Sequence, residues 1–587
     1  SRLASNSRSP QYANQTPSDN TPRCNHDNST PQHVAQTSCQ TRATAGASRL
    51  STFGHSHHGH TRSDGRGMTV SVRFIGRSIS ECACEPRGNS YRCPMRSTRR
   101  DFLKTTAAAM ATSRIANAAA PRQPDLIKEE NNRAGARDWQ LTRVRPAGFR
   151  NPAIEGYCSH QSIAAGEDLK IMVSTEPASR FTLEIFRMGY YGGRGARLMT
   201  TLGPLRGRPQ PIPPVGKNRL RQCEWEPAVT LKIPARWPSG VYLGRLTTIP
   251  EKKNEPYWQN FVIFIVRDNR PADFLFQCSD NTWQAYNKWP DNHSLYTDPR
   301  GAHAVDVAVS FDRPYAKYSQ IFEHPLSNGT GEFLLWEFPL AYWMEKHGYD
   351  VTYCSNADCL EPKQITRCKT FLSIGHDEYW DVRQYHAVKK AIAEGTHVMW
   401  LCGNSVFVVS PFSDDKRVIT RDGIFSGLTD KEINAAIGVF TKDWRRRGPD
   451  ESDIIGARSI VPFNGGGDWT CTKPAHWIYE GTGMKKGESI PGLVGWEHHG
   501  APARKPGLEV VAEGTVWRGG REPAHWTATI YPGPKKNIIF NAATIWWPQA
   551  LSSPPGHILP WSHYSRPHGV DKRVQQITQN LFRKTLA

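Results

Sequence analysis

The sequence predicts an α/β plus all-β protein: a β-sandwich first, then an α/β domain on a mainly parallel sheet. Three observations carry this. At 587 residues the chain exceeds what one hydrophobic core serves. Residues 140–270 alternate short β-like runs with Pro and Gly turns, without a helical period. From Ala272 the pattern changes to strand followed by helix, the rhythm of a parallel sheet covered on both faces.

Residues 1–94 are rich in Ser, Thr, Asn, Gln, His and Gly and show little apolar periodicity, so they read as a disordered extension upstream of a start at Met95. Within 95–120, Arg99-Arg100 precedes an alanine-rich stretch and an Ala116-Asn117-Ala118 site, interrupted by Arg114. This pattern predicts a twin-arginine signal peptide and a periplasmic or secreted protein. No run of 18 apolar residues follows, so no membrane span is expected.

The sandwich, 121–270, is expected to use strands at 169–173, 181–186, 229–233, 241–246 and 261–266, with a proline-rich loop at 204–214. In 271–587 the strands fall at 273–278, 349–353, 370–374, 397–402 and 537–540. Helices fall at 333–347, 382–394 and 574–585. Residues 405–535, dense in Gly, Pro and Trp, read as a loop-rich lid over the sheet edge.

The formal charge of +20 invites a nucleic-acid reading, but its distribution opposes one. Residues 1–120 hold 16 Lys and Arg against 6 Asp and Glu, and the other 467 residues hold 58 against 48, without a basic block. Five of the 13 cysteines precede Met95, and no CxxC pair occurs among the rest, which read as small buried side chains with at most one disulfide. Ser159, Ser373 and Ser405 lack a Gly-x-Ser-x-Gly elbow, and no GxGxxG follows a strand.

Chemistry concentrates where strands end, as ligand sites do in open α/β sheets. The run Thr370–Ile374 leads into Gly375-His376-Asp377-Glu378-Tyr379-Trp380, and neighbouring strands release Asn281, Tyr286 and Asn404. Phenol and carboxylate oxygens suit a hard, highly charged cation, whose Lewis acidity serves hydrolysis. Singly, each residue has an ordinary role: Glu378 in a salt bridge, the tyrosines as hydrogen-bonded aromatics, His376 and the His498-His499 pair as core histidines.

Nine ordered segments then resemble the N,N-dimethylformamidase large (beta) subunit family. They are Ile154–Tyr157, Arg187–Gly193, Ser239–Tyr242, Thr282–Asn287, Ser294–Tyr296, Ser310–Pro314, Gly375–Trp380, Gly403-Asn404 and Gly495–Glu497. The resemblance, covering about 150–570, implies that the α/β domain is class I glutamine amidotransferase-like. It also implies a mononuclear ferric ion (Fe3+) held by Tyr242, Tyr286 and Glu378, with Tyr296 the rival to Tyr242. His376 and Glu497 would act as acid and base. Asn404 stands where the family has an aspartate, and the family lysine has only Lys416, Arg417 and Arg421 in its vicinity. A small amide substrate, a small partner subunit and a homo-oligomer are further implications.

The leading expectation is thus an exported iron-dependent amidohydrolase whose substrate has diverged from dimethylformamide. The alternative is a non-catalytic exported protein binding a saccharide or amide, with Trp283, Trp289, Trp496, Trp546 and Trp547 stacking on sugar rings. A glycosidase using Glu378 and Glu497 is a third.

Overall fold

The computed structural model describes residues 123–587 apart from 146–147, 303, 318, 322–323, 427–445, 460–464, 496, 519–520 and 561–568. These belong to one compact unit, Ser97–Ala587. The expected extension 1–94 and signal 95–120 lie outside the described residues, as does Trp496.

Two sheets form first. An antiparallel one runs in the order Glu155–Cys158, Asp168–Ser174, Pro227–Lys232. The other runs Ser162–Ala164, Gln259–Arg267, Gly240–Ile249, Arg180–Met188, Ala196–Arg206, antiparallel except at its first pair. Side chains alternate across a strand with period two, and here that parity sorts them between two cores. Tyr242, Leu246, Val262 and Phe264 join Ile171 and Val173 in a core shared by the two sheets. Val241, Leu243, Phe261, Ile263 and Ile265 instead join Phe274, Phe276 and Ile374 of the following sheet and Trp336 of the helical segment Phe333–Glu337. Burial on both faces explains why 261–266 is continuously apolar although its pairing with 240–249 is antiparallel.

The third sheet has seven strands. Val351–Cys354, Ala272–Gln277, Cys368–Gly375, His397–Cys402 and Ile538–Asn541 are parallel neighbours in that order. Arg521–Pro532 and Glu509–Arg518 then add antiparallel strands. Within the expected lid at 405–535, this hairpin corrects the reading for 509–532: its alternating Val, Ala and Thr residues complete the sheet rather than cover its edge. The strand Ala196–Arg206 likewise replaces the start of the expected proline-rich loop.

Helix Val382–Glu394 is capped by the Asp381 carboxylate accepting from Arg383 N (2.8 Å) and stopped by Gly395 at φ 110°. The second sheet is tied to a helix of the following domain by a buried ion pair. Arg187, on strand Arg180–Met188, reaches both carboxylate oxygens of Glu345 on helix Phe338–Lys346, at 2.8 and 3.0 Å. Gly189 makes room for it, since a Cβ there would lie 2.3 Å from Glu345 Oε2. Among the described residues no helix is long and apolar enough to cross a membrane.

Candidate functional site

Strands Ala272–Gln277, Cys368–Gly375 and His397–Cys402 are neighbours, and the chain leaving each contributes to one cluster. After the first, helix Asp280–Tyr286 ends on Tyr286. After the second, Gly375 turns the chain at φ 64°, packed so closely that a Cβ would lie 2.7 Å from Trp336 Cβ. That turn presents His376 and Glu378. After the third, Gly403 passes against Glu497, whose carbonyl oxygen would lie 2.2 Å from an added Cβ. Asn404 follows at φ 52°, a conformation that Asn tolerates better than most residues.

Glu378 is the hub. Its Oε2 accepts from the Tyr286 hydroxyl at 2.8 Å and lies 3.1 Å from His376 Nε2, while its Oε1 accepts from the Tyr296 hydroxyl at 3.2 Å. The Tyr286 and Tyr296 hydroxyls are 2.9 Å apart, and their rings stack with centroids 4.7 Å apart. His376 Nε2 also lies 3.9 Å from Glu497 Oε1, and its Nδ1 is 3.0 Å from Gln320 Oε1.

Burial sets the electrostatics. His376, Glu378 and Glu497 are 1%, 3% and 4% exposed. Desolvation, and then the Glu378 charge, hold the Glu497 carboxyl well above the usual range, partly offset by Asn404. The same two causes raise the Tyr286 and Tyr296 phenols well above theirs. Asn404 Oδ1 and Glu497 Oε2 are buried without a hydrogen-bond partner among the described residues.

Of the expected site residues, Tyr286, His376, Glu378, Glu497 and Asn404 come together; Tyr242 does not. Its even-numbered place on strand Gly240–Ile249 turns it into the core between the first two sheets, stacked between Trp237 and Phe264. Its hydroxyl donates to Pro238 O at 2.7 Å. Tyr296 takes the position beside Glu378 instead. Asp377 also faces away, accepting from Ser373 Oγ, Gln277 Nε2 and Asn356 Nδ2, while burial pushes its carboxyl up to about 6. Asn281 donates to Tyr379 O rather than facing the cluster.

The histidine pair is structural on one side at least: His499 Nε2 accepts from Ser405 N and its Nδ1 meets Asn541 Oδ1 at 2.7 Å. Trp283, Trp289, Trp546 and Trp547 are at most 2% exposed, so they pack the interior and offer no face to a sugar. Among the near-cationic residues, Lys416 is exposed, Arg417 pairs with Asp312, and Arg421 lies over the Tyr296 ring, 5.4 Å from its centroid.

Sequence reasoning missed the braces around the cluster. Arg313, fully buried, donates to the carbonyls of Gln284, Asn287, Trp289 and His293, fixing the turn after Tyr286. Arg421 does the same for Leu295, Ala302 and Ala304. Arg313 stands in a segment that resemblance had already singled out, Ser310–Pro314; Gln320 has no such signal.

Among the described residues no group of three or more His, Cys, Asp and Glu side chains is arranged to hold a metal ion. The family model for the C-terminal part of N,N-dimethylformamidase beta subunit-like proteins matches residues 182–563, more than half of the chain. Comparison with curated proteins gives no match. One solved structure that matches is a family 123 glycoside hydrolase from Clostridium perfringens, described for glycolipid glycan hydrolysis. It is 12% identical over 23% of this chain and 32% of that one, with a TM-score of 0.11, so nothing about fold or site follows from it.

Proposed function

The chain belongs to the N,N-dimethylformamidase beta subunit-like family, and from that premise we propose that it is an iron-dependent amidohydrolase cleaving an amide C–N bond. The observation that carries this is the single hydrogen-bonded cluster of Tyr286, Tyr296 and Glu378, with His376 and Glu497 beside it. Two phenols and a carboxylate fit a ferric ion better than a softer metal. Tyr286, Tyr296 and Glu378 would hold it, and it would supply Lewis acidity toward the substrate carbonyl.

The remaining roles belong to the chain. With Gln320 Oε1 accepting at its Nδ1 side, His376 turns Nε2 toward Glu378 and Glu497, the position from which it would take a proton of the attacking water. Glu497, kept protonated by burial and by Glu378, delivers a proton to the departing amine nitrogen as the C–N bond breaks. The near-complete burial of these groups keeps bulk water from competing for them. Asn404 offers an amide where the family pattern has a charge, which supports a substrate other than dimethylformamide.

The same reading takes the first two sheets as a β-sandwich, 121–270, and the rest as a class I glutamine amidotransferase-like domain, 271–587. It includes twin-arginine export to the periplasm or beyond, a small partner subunit and a homo-oligomer. Four of the five tryptophans named for saccharide stacking, Trp283, Trp289, Trp546 and Trp547, are buried, which favours this reading over the saccharide-binding alternative.

Elemental analysis with a visible spectrum tests the proposal. The expected result is about one iron per chain with a phenolate-to-iron charge-transfer band, both lost in Glu378→Gln. A colourless chain that stays metal-free after ferric loading overturns it.

A further inference from the structure

The Tyr286 and Tyr296 oxygens are alike in their reach to Glu378 but not in their surroundings. The Tyr379 hydroxyl donates a hydrogen bond to the Tyr296 oxygen and bonds to neither Glu378 nor Tyr286. Arg421 lies over the Tyr296 ring at 5.4 Å. Tyr286 has neither neighbour: its ring meets Tyr379 only edge-on, at 6.1 Å, and His376 at 5.4 Å. Tyr379 itself is fully buried and firmly placed. Its backbone N–H donates to Thr282 Oγ1, its carbonyl accepts from Asn281 Nδ2, and residues 379–380 pair with 408–409.

We propose that Tyr379 is a positioning residue that makes the two phenol donors unequal, by keeping a hydrogen bond on the Tyr296 oxygen that the Tyr286 oxygen lacks. This rests on the iron reading above. A hydrogen bond to an anionic oxygen is charge-assisted and withdraws electron density from it, and the Arg421 cation acts on the same ring in the same direction. Tyr296 is then the weaker, anchored donor and Tyr286 the stronger one. The sequence gives both residues the same chemistry; the third tyrosine divides them.

The test uses the full chain loaded with ferric ion alone. Tyr379→Phe keeps the ring and removes one oxygen. It should retain iron and move the charge-transfer band to longer wavelength, because the Tyr296 oxygen becomes a stronger donor. An unmoved band overturns the inference while leaving the iron reading intact. A wild-type chain with no band at all overturns both. A measurement on the unaltered protein guards against a variant that does not fold: resonance Raman spectra should show two phenolate C–O bands, of which one shifts in deuterium oxide. Two bands that shift together, or a single band, overturn the inference.

Discussion

Tyr242 and Tyr296 separate at a single atom. The Tyr242 hydroxyl is committed to Pro238 O inside an apolar core, whereas the Tyr296 hydroxyl shares Glu378 with Tyr286. Tyr296→Phe should therefore abolish or greatly weaken ferric loading, while Tyr242→Phe loads as the wild type does. The second change should instead cost about 1 kcal/mol of stability, the net worth of one neutral hydrogen bond. Metal content and urea unfolding of both variants decide the matter; loss of iron in Tyr242→Phe would reverse the assignment. Asn404 poses a different residue-scale question. If its lack of charge sets the substrate range, Asn404→Asp should change the preference among small amides, read as relative kcat/KM, with iron content unaltered.

At the scale of elements, strand Arg180–Met188 is held to helix Phe338–Lys346 by a buried ion pair. Arg187 and Glu345 are both 0% exposed and bonded through two oxygens, and Arg187 also donates to Ser239 O. A buried pair adds little net stability over an apolar substitute, but removing one partner strands the other charge. Glu345→Gln should accordingly lower unfolding free energy by about 3–5 kcal/mol. A loss below about 1 kcal/mol, the level of a surface pair, would mean that solvent reaches Arg187. The carbonyl-bound Arg313 and Arg421 work alike within the site, turning irregular chain around Tyr286 and Tyr296 into fixed supports.

Across the whole molecule, buried acids tie stability to pH. Burial pushes the Asp280 carboxyl up to about 8, and its Oδ1 accepts from Asn356 N. An unfolded aspartate titrates near ~3.9. Between those values the folded state holds a proton that the unfolded state has released, so this group's contribution falls as pH rises from about 4 to about 8. Asp280→Asn imitates the protonated form. Its stability relative to wild type should therefore improve steadily from pH 5 to pH 8 in urea titrations, and a constant difference would show that Asp280 does not titrate there.

Much of the architecture was legible in the chain because it is local. Apolar runs bounded by Gly and Pro placed the strands at 168–174, 240–249, 259–267, 368–375 and 397–402 within a few residues. Helical runs marked the helices at 382–394 and 572–586, whose Asp381 and Asp571 caps the structure supplies. The hairpin 509–532 escaped because its Gly and charged residues resemble a loop until a sheet edge pairs with them. The sequence by itself determined that a strand ending at Gly375 delivers His376 and Glu378 to an edge, and that a tyrosine oxygen belongs beside them. Only the tertiary structure decided which tyrosine. The parity of strand Gly240–Ile249 turns Tyr242 into one core, and the Arg421-braced chain after helix Asp280–Tyr286 brings Tyr296 back to Glu378. Strand parity can be counted from sequence, but which face meets which neighbour is set by packing between sheets far apart in the chain.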